Sequence, residues 1–131
     1  MTSQTTQHVT VSAESYYQER YSQPEDENFV YAYRIKIENR GDLPVQLLSR
    51  RWEVIDATGG RRHVEGEGVI GKQPWIEPGE SYEYNSWVQF PTPIGAMQGS
   101  YVMYRQDEQG VENYFRVAVP RFLHLAGPIL N

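Results

Sequence analysis

The 131-residue chain contains no cysteine, which excludes a disulfide framework, a thiolate zinc site and a cysteine nucleophile together. Long apolar runs are missing too. The longest, at 29–33, is five residues, against the roughly 20 that a membrane helix needs; no membrane partner is expected. No stretch keeps apolar residues at convincing three- and four-residue spacing, so helices are not expected either. Positive charge is in deficit, with 12 Lys and Arg against 17 Asp and Glu and a net charge of −5. That balance argues against a nucleic-acid partner held by overall charge. The first 19 residues hold no Lys or Arg and lead into no apolar core. No secretory signal is read there, and the cytoplasm is the expected location.

What the chain does have is aromatic side chains (ten Tyr, four Phe, three Trp) set in alternating segments. In 8–16, Val9, Val11 and Ala13 alternate with Thr10, Ser12 and Glu14; in 29–39, Phe29, Tyr31, Tyr33, Ile35 and Ile37 alternate with polar residues. Period two puts one set on a packed face and the other in water. The same reading gives strands at 44–56, 61–65, 81–90, 99–106 and 111–119. In 44–56 the alternation slips between Leu47–Leu48 and Trp52–Val54–Ile55, as at a β-bulge. Residues 57–60 read as a turn, and Asp107–Gly110 as a hairpin turn. Seven short strands without helices predict a single domain over 1–131, an all-β, immunoglobulin-like sandwich of antiparallel strands. Residues 1–7 read as an N-terminal tail and 120–131 as a C-terminal arm. The strand at 8–16, if it is an exposed edge, or the apolar arm, leaves room for a homodimer.

Gly66, Gly68 and Gly71 match G-x-G-x-x-G, but Pro74 and Pro78 stand where a dinucleotide-binding helix would run. A weaker reading survives, in which backbone N–H groups of the loop form an anion-binding nest. Arg50, Arg51, Arg61, Arg62 and His63 gather five basic or titratable residues within 14 positions nearby. Solvated arginines and a purely architectural loop are the competing reading. Trp52 is expected in the core. Trp75, between Pro74 and Ile76, is either a buried plug or an exposed anchor for a protein partner.

Catalytic signals are weak. Ser100 lies in a strand rather than on a nucleophile elbow, and His8, His63 and His124 are scattered. No metal-ligand spacing is seen, and Glu25-Asp26-Glu27 reads as a solvated acidic loop. The expectation is no enzyme, no cofactor and no metal.

The segments LLSRRWEVIDATG, VEGEGVIGKQPWIEPGESYEY, TPIGAMQGSY and VPRFLHL, in this order and spacing, resemble the ApaG family. Trp87 departs from its pattern, which has a small residue there. The resemblance implies a fibronectin type III-like sandwich and a small bacterial cytoplasmic protein. It also implies a gene beside a diadenosine-tetraphosphate hydrolase, and a link to cobalt resistance and magnesium efflux under the name CorD. Related domains in eukaryotic F-box proteins imply protein binding. The expected function is therefore a non-enzymatic protein-interaction module centred on the 66–76 loop, with Trp75 as anchor and Arg61 and Arg62 as rim charges. The alternative is a sensor that binds a nucleotide or pyrophosphate at Gly66–Gly71.

Overall fold

Alternating side chains can bury one face only if a second sheet covers it, and two sheets do this here. The computed structural model describes residues 1–126. The first sheet runs in the order β1 (Thr2–Thr6), β2 (Val9–Tyr17), β3 (Phe29–Asn39), β7 (Ser81–Phe90). The second has β5 (Arg61–Glu67), β4 (Val45–Asp56), β8 (Ile94–Gln106), β9 (Glu112–Leu125), with the short β6 (Trp75–Ile76) also on β4. All pairings are antiparallel. Their inner faces form one core, as a β-sandwich requires. Trp52 sits at its centre, edge-on to Tyr33, Tyr101 and Phe122 at centroid distances of 5.7, 6.4 and 6.1 Å.

Two bulges set the phase of the alternation. In β4, the strand whose alternation slips, the pairing to β8 shifts between Leu47 and Ser49, which makes Leu48 the extra residue of a bulge. In β9, Pro120 and Arg121 stand against the single Gln98 of β8. Proline lacks a donor and tolerates a bulge, so the strand continues through Pro120 to Leu125. The expected C-terminal arm is thus strand as far as Leu125, and 127–131 lie outside the described residues.

The expected N-terminal tail is also strand. Thr2–Thr6 pairs with β2 through the two-residue turn Gln7-His8, whose φ values are 46° and 70°. Two-residue hairpin turns usually place Asn and Gly at such angles; Gln-His carries no such signal, and β1 is wholly polar, so periodicity could not find it. The segment at 8–16 is consequently no edge, because β2 lies between β1 and β3. The polar stretch after it contains two single-turn 3-10 helices, Glu19–Tyr21 and Pro24–Asp26.

His124 is fully buried on β9, against Tyr31, Phe90 and Phe122. Its Nδ1 lies 2.7 Å from Ser15 Oγ, and its Nε2 has no partner among the described residues. Burial favours the neutral imidazole and lowers its pKa to about 4.

Two stability predictions follow from these positions. Replacing His8, at positive φ, by glycine relieves a left-handed side chain. It should raise stability by about 0.5–1 kcal/mol in urea denaturation. For His124 the unfolded chain binds the proton first, so its contribution is present above about pH 6.5 and fades as pH falls toward 4. The loss should reach about 3 kcal/mol. Urea midpoints measured against pH should fall less steeply across that window in His124→Leu than in the wild-type chain.

Candidate functional site

The β4 bulge organises the loop that carries the glycines. The Leu48 carbonyl accepts the Gly68 N–H at 2.7 Å and the Gln73 side-chain amide at 2.9 Å. Leu47 N–H donates to Pro74 O at 3.0 Å. The loop therefore wraps over the bulge and delivers β6, whose Ile76 plugs the core while Trp75 faces outward. Asn39 secures the far side. Its Nδ2 donates to Leu43 O and Ile76 O at 2.8 and 2.9 Å, and its Oδ1 accepts from Gly41 N–H at 3.0 Å.

Each glycine of the motif answers a local need. A side chain on Gly66 would sit 2.8 Å from the Arg50 guanidinium, and one on Gly68 would lie 2.1 Å from Lys72 O. Gly71 has open space but a φ of 72°. Arg50 Nη1 donates to Glu67 O and Gly68 O at 3.2 and 3.0 Å. The Gly68 and Val69 N–H groups are committed to Leu48 O and Lys72 O, so neither points at an anion as a nest would require.

The run of basic residues is split between two faces. Arg62 points to the inner side of β5 and donates to Gln89 O of β7 at 2.8 Å. Arg61 points outward and pairs with Glu53 at 2.7 Å. That hydrogen bond, with a second from Gln98, holds the Glu53 carboxyl below its ordinary pKa. His63 also approaches Glu53, at 3.5 Å. Arg61 and Arg62 thus do not frame Trp75: they leave from opposite faces of β5 and pair with Ile55 and Val54, at the far end of β4 from Gln46, the partner of Trp75. Arg50 enters the sandwich near Tyr33 and the hydrogen-bonded pair Tyr84 and Tyr101, whose hydroxyl pKa values burial raises.

Three surface features remain. Trp75 is 51% exposed and stacks edge-on against Tyr104 at 5.9 Å, which in turn meets Tyr114 at 5.1 Å; Tyr114 is 61% exposed. Register explains the row, because Trp75 and Tyr104 both flank Gln46, and Tyr104 faces Tyr114. Sequence reading found Trp75 but missed its two neighbours, since only pairing brings β6, β8 and β9 into line. A cleft of about 530 Å³ opens between the free edges of β5 and β7, lined by Arg62, Val64 and Trp87. Trp87 rests edge-on against Tyr21 at 5.5 Å. A third depression, of about 640 Å³, lies on the outer face of the second sheet around Ser100. Among the described residues, no group of three His, Asp and Glu side chains converges as a metal cage would need.

The chain matches the model of the ApaG domain (DUF525) over residues 19–105. It is 45% identical over 122 residues to Protein ApaG of Paramagnetospirillum magneticum, covering 93% of this chain and 91% of that one. An Escherichia coli Protein ApaG is 45% identical over 121 residues, covering 88% and 95%. The crystal structure of a Bordetella pertussis protein described as ApaA superposes with a TM-score of 0.84 at 38% identity, covering 92% and 94%.

Gly68 and Gly71, both at positive φ, should respond differently to the same methyl group. Gly68→Ala drives a Cβ into a backbone carbonyl and should lose about 2 kcal/mol or more. Gly71→Ala meets no atom and should lose only about 1 kcal/mol, the left-handed penalty. Thermal denaturation of the two variants checks the order.

Proposed function

The chain belongs to the ApaG domain family, and from that premise we propose that it is a non-enzymatic protein-interaction module. The observation that carries this reading is the outward row Trp75–Tyr104–Tyr114. An exposed tryptophan backed by two tyrosines gives a partner large, rigid apolar area with little side-chain entropy left to lose. Such residues dominate binding hot spots. The row is pre-organised by Asn39 and the β4 bulge rather than carried on a free loop. Arg61 and Arg62 have no part in it, being engaged with Glu53 and Gln89 O.

The alternative sensor of a nucleotide or pyrophosphate at Gly66–Gly71 has less support, because two of the loop's N–H groups already serve backbone carbonyls. The association with diadenosine-tetraphosphate metabolism, cobalt resistance and magnesium efflux stays at the level of family resemblance.

The test is affinity capture with the wild-type chain and with a Trp75→Ala/Tyr114→Ser variant, followed by titration of the purified partner against both. Loss of two anchors at hot-spot magnitude should weaken that partner by about thirty-fold or more. Equal affinities would remove this surface. In parallel, thermal melts with ATP and pyrophosphate should stay flat; a rise of several degrees, lost in a folded Gly71→Ala chain, would favour the sensor instead.

A further inference from the structure

Beyond the aromatic row, the same outer face carries a set of arginines from two strands far apart in the sequence. Arg51 of β4, Arg116 and Arg121 of β9 surround the depression over Gly99 and Ser100, with Gln4 of β1 at its margin. All three arginines are exposed, and among the described residues none forms an ion pair. Arg116 Nη1 only touches Ser100 Oγ, at 3.3 Å. Glu65 is the register neighbour of Arg51 and does not bridge to it. Glu53, the acid within the depression, is already occupied by Arg61 and His63. Three free cations thus stand together on a chain of net charge −5, where 17 acids are available to neutralise them.

We propose that this groove binds an acidic, extended segment of a partner protein. This rests on the interaction-module reading and gives its partner a chemistry. Spacing selects the occupant. Arg51 and Arg116 lie two strands apart, about 10 Å, and one row apart, about 7 Å. Arg116 and Arg121 are separated along β9 by about 14 Å once the bulge is subtracted. Convergence of all three on one small anion would crowd like charges together. An extended chain presents same-side residues every ~7 Å, so acidic side chains at i and i+4 match the Arg116–Arg121 interval. Gly99 and Ser100 leave a floor without bulk for such a chain to lie on. The segment would run from this groove toward Tyr114, two positions along the same face of β9 from Arg116.

The probe is a fluorescein-labelled peptide of alternating Glu and Thr, with a Lys-for-Glu peptide as control, titrated against the full chain by anisotropy. The wild-type chain should bind the acidic peptide only, more weakly as salt rises, with amide shifts centred on Gln98–Val102. Arg51→Gln/Arg116→Gln/Arg121→Gln, verified as folded by circular dichroism, should weaken binding by about ten-fold and flatten its salt dependence. No binding at millimolar peptide, equal binding by the triple variant, or shifts centred on the 66–71 loop overturns the proposal. So does pyrophosphate that shifts the same amides as strongly, which would make it a small-anion site. A salt-sensitive dimer in sedimentation that the triple variant abolishes would place a second copy's acids there and also overturn it. The Trp75→Ala/Tyr114→Ser chain separates the two readings. If it still binds the peptide, the groove stands without the anchor; if it alone fails, the anchor stands without the groove.

Discussion

The bulge at Leu48 is the constraint on which the rest of the molecule depends. One extra residue in β4 reverses which side chains face the core, so that Leu47 and Trp52 both point inward although their spacing is odd. It turns Arg51 out to the groove and Arg50 in to the carbonyls of Glu67 and Gly68. It also leaves the Leu48 carbonyl outside the regular ladder, where Gly68 N–H and the Gln73 amide use it. An unpaired backbone carbonyl at a bulge is a natural docking point, because its desolvation is otherwise uncompensated. That group anchors the glycine loop, and the neighbouring Leu47 N–H, the pairing with Val45 and Gln46 and the Asn39 side chain then fix β6 and Trp75.

The second bulge does the same for β9. Val119 and Pro120 are both buried, and the alternation restarts with Arg121 outward and Phe122 and His124 inward. Without the slip, Arg121 would enter the aromatic core and Phe122 would face water. The price of a charge in that core would be far beyond any exposed ion pair, which contributes about 0–1 kcal/mol. The two bulges together decide that three arginines reach one face of one sheet.

The glycine motif shows how one pattern serves a need other than the familiar one. Spacing of two and three residues suits a pyrophosphate loop, yet here Gly66 admits a guanidinium, Gly68 admits a carbonyl and Gly71 admits a positive φ. The proline test applied to the sequence was sufficient to set aside a dinucleotide helix. What replaces it required the neighbours, Arg50 and Lys72, which lie on the other side of a strand pairing or a turn.

The all-β class, the β4 bulge, the turns at 57–60 and 107–110, the core position of Trp52 and the family were legible in the sequence. Each is recorded in local chemistry: period-two alternation, its slip, a glycine at positive φ, or a motif string. The polar first strand was not legible, since the φ values of Gln7 and His8 leave no mark in residue type. Nor was the division of the basic run, because which of Arg61 and Arg62 leaves from the outer face depends on the register of β5 against β4. The aromatic row and the arginine groove were decided only by tertiary structure. Their members come from strands far apart in the chain, and hydrogen-bond register alone sets them side by side.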